Sequence, residues 1–274
     1  MSEQAVRTNA ANARATRGKP GFVDGWRDAS TEARRHLRIV PRNPELLAFS
    51  LFQPIMFVLL FVYVFGGAIE VPGFSDYNQF LIPGIFAQTL VFGSSFTAVG
   101  LAEDLSKGLV DRLRSLPIAR SAVLIGRTFS DLARNLLTFV VMLVVAFLIG
   151  FRFEGSLLGA LGGTALMMAF SYSFSWIQAY IGLSVGSVEA ANAASFTWMF
   201  PVTFLSSAFV DPASMPSWLQ PIANHNPFTR LANASRALYN GMDPAPHLAW
   251  AIFWTVLITI VFATLSIRRF SRST

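Results

Sequence analysis

The sequence contains no cysteine and only three histidines among its 274 residues. The absence of cysteine excludes disulfide bonds and thiolate-ligated metal sites. His225 and His247 have no companions at ligand spacing, so we predict no metal site. The histidines are dispersed and the acids mostly lie at the ends of apolar runs, so we also predict no catalytic site. The segment GLSVG at 182–186 fits a hydrolase pattern, but it lies in an apolar helix without the partners that this pattern requires.

Charged residues are scarce as well, at 13%, whereas 53% of the residues are hydrophobic. Beyond residue 43, long uncharged runs cover most of the chain: 46–69, 77–102, 135–151, 155–188, 190–210 and 244–267. A helix needs about 20 apolar residues to cross a bilayer. We therefore predict an all-α polytopic membrane protein whose domain at 44–267 has six transmembrane helices. The predicted spans are 44–66, 78–102, 121–150, 160–187, 191–210 and 247–267.

Positive charge is distributed unevenly between the ends of these spans. Eighteen of the 21 Lys and Arg residues lie before the first span, between residues 103 and 134, or after the last span, in the basic end at 268–274. Lys and Arg accumulate on the cytoplasmic side of membrane proteins. We therefore predict a multi-pass protein of the cell membrane with both termini in the cytoplasm. The net charge of +6 is then an orientation signal, and we predict no nucleic-acid partner.

The residues before the first span form two predicted segments. Residues 1–21 have no apolar core and are predicted to be a disordered cytoplasmic tail. In residues 22–41, apolar side chains recur every three or four positions and basic side chains occupy the other faces. This pattern predicts an amphipathic helix lying in the membrane interface, carrying Trp26, Arg34, Arg35 and Arg38. A solvated helix in a cytoplasmic tail is the alternative interpretation.

The segment at 103–120, which we call the charged segment, separates the second and third spans. Leucines recur around it every three or four residues, which predicts a short helix with one leucine edge and one charged edge, ended by Pro117. It is either a docking surface outside the membrane or a solvated loop that sets orientation. Just beyond it, Asp131 and Arg134 are spaced to pair, and we expect their side chains to extend towards the interface.

Small and hydroxyl-bearing residues mark the apolar runs. Gly155, Gly159 and Gly163 recur at intervals of four, which favours close approach of two helix backbones. The second and fifth spans carry polar side chains that either pack helices together or line a path for a mostly apolar cargo. The segment at 211–240 is rich in apolar residues, so we predict short re-entrant helices that dip into the outer leaflet.

Two stretches carry a family resemblance. The segments EDLSKGLVDRLRSLPIARSAVLIGRTFSD, at 103–131, and FLSSAFVDPASMPSWLQPIANHNPFTRLANASRAL, at 204–238, resemble the membrane (permease) subunit of type-2 ABC exporters, the group that includes daunorubicin-resistance permeases. The resemblance runs from the amphipathic helix to the C-terminus. It implies a six-span half-transporter that pairs with a second permease copy or a related permease. It also implies two ABC ATP-binding subunits, which hold ATP and Mg²⁺, so the chain itself is expected not to be an enzyme.

The resemblance also implies roles for particular residues. The charged segment becomes a coupling loop that docks the ATPase through Glu103, Asp104, Lys107, Leu109, Asp111, Arg112, Arg114 and Pro117, with the interfacial helix beside it. The translocation path lies between the first, second and fifth spans and includes Thr89, Ser94, Ser95, Asn192, Ser195 and Thr203. The re-entrant segment forms an outer gate with Trp218, Phe228 and Arg230.

The sequence is consistent with an ATPase that resides on a separate chain. It contains no Walker A phosphate loop, since the sole Gly-Lys pair, Gly18-Lys19, is followed by Pro20. The expected cargo is a drug, lipid or glycolipid, and both a homodimer and a heterodimer of permeases fit. The alternative is a secondary transporter driven by an ion gradient, which needs paired acids or broken helices near the membrane midplane. Neither feature is evident in the sequence.

Overall fold

The computed structural model describes residues 44–65, 73–74, 76–108 and 120–272, and these residues form helices and connecting turns without a strand. Two groups of predicted functional residues lie outside this part of the chain. The interfacial helix, with Trp26, Arg34, Arg35 and Arg38, is one of them. The other is most of the charged segment, including Leu109, Asp111, Arg112, Arg114 and Pro117.

The helices follow the predicted spans closely. In chain order they are α1 (Pro44–Leu60), which continues as a π-helical turn (Phe61–Phe65), α2 (Tyr77–Gly93), α3 (Ser95–Ser106), α4 (Arg120–Leu148), α5 (Leu157–Gly182), α6 (Val188–Phe204), a 3₁₀ turn (Pro212–Ser214), α7 (Gln220–His225), α8 (Pro227–Tyr239) and α9 (Ala245–Arg272). Ser156, Ser187 and Asn226 start α5, α6 and α8 by accepting a hydrogen bond from a backbone N–H of the first turn. Such side chains are favoured N-caps because they satisfy otherwise unpaired donors.

Four stretches of helix are long and apolar enough to cross a membrane: Tyr77–Ser106, Leu124–Leu148, Leu157–Gly182 and Ala245–Phe270. A shorter apolar helix covers Phe52–Val64. The chain is therefore a multi-pass membrane protein. The Tyr77–Ser106 stretch is central, since 78% of its most apolar 18 residues are buried. Helix α9 is peripheral, since it exposes Trp250, Phe253 and Ile260 along its length. An exposed apolar face of this kind is stable only against lipid or another protein.

The second predicted span is interrupted at Ser94, where α2 ends and α3 begins. The interruption frees backbone carbonyls that must find other partners inside an apolar bundle. Leu90 O accepts from Asn135 Nδ2 at 3.0 Å and from Ser171 Oγ at 2.6 Å. Gly93 O accepts from Arg134 Nη2 at 3.0 Å. The sequence gives no sign of this interruption, because no proline lies at it and the polar side chains of α4 and α5 that support it are distant in sequence.

Helix α5 is the centre of the packing and contacts α2, α3, α4, α6, α8 and α9. The predicted close approach of backbones along its glycine face is confirmed. A Cβ added at Gly159 would lie 2.5 Å from Leu238 O of α8, and one at Gly155 would lie 2.7 Å from the same oxygen. The glycines therefore allow α8 to lie directly on the first turns of α5.

Two alanine substitutions on α5 test this contact. We expect Gly159→Ala to destabilise the protein by about 1–3 kcal/mol, because the new methyl group overlaps a backbone oxygen that cannot rotate away. Gly162→Ala is the matched control on the same helix, since nothing lies within 4 Å of its added Cβ. It should be neutral or stabilise the helix by up to about 1 kcal/mol. Thermal unfolding of both variants in detergent measures the difference, and equal stabilities would contradict the packing.

Candidate functional site

A cavity of about 530 Å³ opens between α1, α2, α3, α4 and the first turns of α6. Its lining residues are Gln53, Pro54, Phe57, Gln88, Thr89, Phe92, Gly93, Ser95, Phe96, Val99, Arg134, Asn135, Thr138, Val188, Glu189, Asn192 and Phe196. The break at Ser94 lies in this wall, because residues on both sides of it line the cavity. A volume of this size accommodates a small organic molecule.

Aromatic rings form much of the cavity wall and extend beyond it. Phe92 of α2 packs against Phe196 and Phe200 of α6, with ring centroids 5.7 and 5.2 Å apart. The series continues along α6 to Phe204 and then to Phe209. Phe209 stacks on Phe61 of the π-helical turn at 5.0 Å, and Phe61 on Phe57 of the cavity wall at 6.1 Å. A continuous aromatic strip therefore leads from the cavity to the end of the bundle that carries the 205–244 loops.

Polar side chains interrupt this apolar surface at a few positions. Thr89, Ser95 and Asn192, three of the residues predicted for the path, line the cavity. Gln88 lines it too, is only 2% exposed, and leaves its Nε2 without a hydrogen-bond partner in the described part of the chain. Buried amide groups normally have partners, so this Nε2 is an unsatisfied donor behind the cavity wall.

The other three predicted path residues lie elsewhere. Ser94, Ser195 and Thr203 are fully buried, and their hydroxyls donate to helix carbonyls: Val91 O, Ala191 O and Met199 O respectively. Ser195 Oγ also lies 2.6 Å from Gln178 Oε1, so its single proton is shared between the two acceptors. Hydroxyls in helices commonly bond back to the preceding turn. These three therefore bond to their own helices, Ser195 also contacts α5 through Gln178, and none of them lines the cavity.

A chain of buried charges links the cavity to the end of α3. Arg134 lies over the Phe96 ring at 3.9 Å and pairs with Asp131 Oδ1 at 3.0 Å. Arg127 lies 4.0 Å from Asp131 Oδ2 and pairs with Asp104 at 3.0 Å, and Thr97 donates to Asp131. The predicted pairing of Asp131 with Arg134 is confirmed, but the side chains do not extend away from the bundle. They lie between α3 and α4 because each charge meets an opposite charge there.

Glu189 carries the remaining charge of the cavity wall. It is exposed at the start of α6, where its carboxylate is hydrogen-bonded to the Ser187 side chain. No basic side chain of the described residues pairs with it. Among the described residues, Asp131 compensates Arg134, so Glu189 gives this end of the cavity its one uncompensated charge. In the described part of the chain, no group of three or more His, Asp or Glu residues could hold a metal ion.

The described residues of the predicted docking surface divide into two kinds. Glu103 and Lys107 are exposed at the end of α3 and form an ion pair at 2.5 Å. The hydrogen bond with Glu103 raises the pKa of Lys107 above its ordinary value. Asp104, by contrast, is turned inward to Arg127 and begins the chain of buried charges. The exposed pair and the buried chain therefore start within two residues of each other.

The three predicted gate residues occupy different surroundings. Trp218 is 71% exposed, whereas Phe228 is fully buried and its ring meets Phe170 edge-on at 6.4 Å. Arg230 contacts His247 Nδ1 at 3.3 Å. The cavity also has lining residues outside the predicted path set, Gln88, Phe92, Phe96, Phe196 and Glu189, and three of them carry a signal. Gln88, Phe92 and Phe96 are spaced four apart, which places them on one helix face.

Comparison with known proteins gives a consistent result. The family described as ABC-2 type transporter matches residues 30–240. The daunorubicin resistance ABC transporter permease protein DrrB1 of Streptomyces coeruleorubidus is 33% identical over 225 residues, covering 82% of this chain and 79% of the relative. The probable doxorubicin resistance ABC transporter permease protein DrrC of Mycobacterium tuberculosis (strain ATCC 25618 / H37Rv) is 26% identical over 78% of this chain and 77% of its own. The putative transport permease ycf38 of Cyanophora paradoxa is 28% identical over 82% and 76%.

Proposed function

The chain belongs to the ABC-2 type transporter family, and from this premise we propose that it exports a hydrophobic or amphipathic drug through the cavity beside α2 and α6. It is a permease subunit without an ATPase site of its own. The observation that carries the proposal is a drug-sized cavity with aromatic walls and few polar groups, which suits such a cargo. The names of the relatives point to drugs; a lipid or glycolipid is the other cargo that fits the lining.

The proposed topology has six membrane passes with both termini in the cytoplasm. The passes are α1 with its π-helical turn, α2 and α3 together, α4, α5, α6 and α9. The charge bias of the sequence supports this orientation, since it places the charged segment on the inside. The segment at 211–240 then lies outside, where α7 and α8 form the re-entrant outer gate with Trp218, Phe228 and Arg230.

The proposed partners are two ABC ATP-binding subunits and a second permease, either another copy or a related chain. The ATPases hold ATP and Mg²⁺ and dock on the charged segment and the interfacial helix. The second permease covers the exposed apolar faces of α1 and α6, where Phe52, Tyr63 and Phe200 are 63, 71 and 39% exposed. Apolar surface of this extent on neighbouring helices favours a protein partner or lipid.

We place the transmission of ATP-driven motion in the chain of buried charges. The ATPase moves the charged segment, Asp104 moves with the end of α3, and the ion pairs pass the displacement to Arg134. Arg134 bonds the freed carbonyl of Gly93, so the movement reaches the helix break in the cavity wall. Helices that switch between two discrete packed arrangements can amplify a small displacement at one site into a larger conformational change.

A charge reversal in the charged segment tests this function. We expect Asp111→Arg and Arg112→Glu each to reduce ATP-dependent export more than tenfold, because reversing a charge at a docking surface opposes the partner's complementary charge. The measurement is copurification with candidate ATP-binding subunits, followed by ATP-dependent dye uptake into inside-out vesicles, in which the cytoplasmic face of the permease is outside. Glu154→Lys, a reversal at the opposite end of the bundle, is the control and should export like the native chain.

The same experiment separates the proposal from ion-gradient transport, which the broken helix at Ser94 and the buried Asp131 favour. A secondary transporter would move the dye without ATP and stop when the proton and sodium gradients are dissipated. Gradient-dependent, ATP-independent export by an intact permease that recruits no ATPase would overturn the proposed function.

A further inference from the structure

Helix α3 meets α4 along a polar face that has a gap at its centre. Thr97, Gly100 and Asp104 of α3 are three and four residues apart, so they share one helix face. Across the interface, Thr97 donates a hydrogen bond to Asp131 of α4, and Asp104 pairs with Arg127 at 3.0 Å. Gly100 lies between these two contacts and has no side chain. The guanidinium of Arg127 fills the space that a side chain at Gly100 would need.

The position of the Arg127 guanidinium depends on this gap. A Cβ added at Gly100 would overlap the guanidinium, because Cζ and both Nη atoms would lie closer to it than the 3.0 Å that real Cβ atoms respect. In its place on α3, the guanidinium reaches two carboxylates. Its Nη1 lies 3.0 Å from Asp104 Oδ2, and its Nε lies 4.0 Å from Asp131 Oδ2. Gly100 therefore allows Arg127 to join the end of α3 to the more deeply buried Asp131.

The atoms that crowd Gly100 differ in kind from those that crowd Gly182, which also contacts α3. At Gly182 of α5, an added Cβ would lie 2.5 Å from Ala98 O, a backbone atom that moves only if a helix moves. At Gly100 the crowding atoms are the far end of a flexible side chain, which can rotate towards water. A methyl group at Gly100 would therefore displace the Arg127 guanidinium and leave the helices in place. Asp131 would stay compensated, because it keeps its other ion pair.

We propose that Gly100 is a positioning residue for transport, which holds Arg127 across α3 so that a displacement of the end of α3 reaches the rest of the chain of buried charges. This inference rests on the proposed function and deepens its transmission step. Docking uses the charged segment, whereas Gly100 is buried within α3. Replacement of Gly100 therefore uncouples the two activities of the complex: the ATPase still docks and hydrolyses ATP, but the cargo is not exported.

Gly100→Ala tests this assignment in the complete complex. We expect its thermal midpoint in nanodiscs to lie within about 4 °C of the native value. It should copurify with the ATP-binding subunits and hydrolyse ATP at nearly the native rate. ATP-dependent uptake of ethidium into inside-out vesicles should fall about tenfold, and the ethidium moved per ATP should fall by the same factor. Gly162→Ala is the control and should match the native complex in every measurement, since nothing lies within 4 Å of its added Cβ.

A double-mutant cycle shows whether Gly100 acts through Arg127. Arg127→Met removes the guanidinium and should lower the ethidium moved per ATP about as much as Gly100→Ala does. In the Arg127→Met background, Gly100→Ala should have no further effect, because no guanidinium remains to be displaced. If Gly100 only packed two helices together, the two losses would add.

Three results would overturn the inference alone. They are a native ratio of ethidium to ATP in Gly100→Ala, additive losses in the double variant, and a failure of Gly100→Ala to assemble or to hydrolyse ATP. In each case the native complex still takes up ethidium with ATP, so the permease function stands. Gradient-driven, ATP-independent uptake by the native complex, or no uptake at all, would instead refute the proposed function on which the inference rests.

Discussion

Replacement of Arg236 by methionine is expected to destabilise the protein by at least about 3 kcal/mol, because three buried carbonyl groups lose their donors. The Arg236 side chain is 1% exposed and lies over the Phe80 ring at 3.6 Å. Its Nε donates to Phe80 O at 2.5 Å, and its Nη2 donates to Ser207 O and Ala208 O at 2.5 and 2.7 Å. Helix α8 is thereby fixed to α2 and to the turn that follows α6. Thermal unfolding in lipid nanodiscs measures the loss.

Arg230→Met is the matched control for this prediction. Arg230 lies on the same helix, is only partly buried, and its one hydrogen-bonding contact in the described chain is His247. Its replacement should change stability by less than about 0.5 kcal/mol. Similar losses in the two variants would show that the carbonyl contacts of Arg236 do not hold the loops together. A selective loss in Arg236→Met would show that α8 is an integral part of the bundle.

The helical architecture could be predicted from the sequence because its signal is local and strong. A run of apolar residues must form a helix in a membrane, so the bounds of α4, α5 and α9 follow the predicted spans to within a few residues. The close contact of Gly159 with α8 could be predicted in the same way, because small residues at intervals of four allow two helix backbones to approach closely. The break at Ser94 has no such signal, because its support comes from Asn135, Ser171 and Arg134, which are distant in sequence.

The candidate site was less accessible to sequence reasoning for a related physical reason. Serine and threonine hydroxyls can bond to their own helix or face a cavity, and the spacing of residues is the same in both cases. The hydroxyls of Ser195 and Thr203 bond to carbonyls of their own helix, α6, whereas Asn192 of the same helix lines the cavity. The aromatic strip depends on how α2 and α6 meet, which no local pattern specifies. Glu189 belongs to the cavity only because the turn after α5 brings it beside α3.

The second large effect is expected from Asp131→Asn, which removes the central negative charge from the chain of buried ion pairs. Asp131 is 4% exposed, and its loss leaves Arg134 without its ion-pair partner, while Arg127 keeps only Asp104 among the described acidic residues. Breaking a buried pair typically costs about 3–5 kcal/mol. Glu103→Gln is the control in the exposed pair with Lys107, where little or no loss of stability is expected because water screens the two charges. Equal losses of stability in the two variants would mean that the ion pairs of Asp131 are no stronger than the exposed Glu103–Lys107 pair.

A double variant separates stability from transmission in this chain of charges. Asp131→Leu with Arg134→Met replaces the pair by apolar side chains, and such replacements often restore or exceed the native stability. If the ion pairs only hold α3 and α4 together, the double variant should export its cargo as the native complex does. Because Arg134 also bonds Gly93 O at the helix break, we expect instead a stable permease that recruits the ATPase, hydrolyses ATP in complex with it, and exports at least tenfold more slowly. Native export by the double variant would place transmission outside these charges.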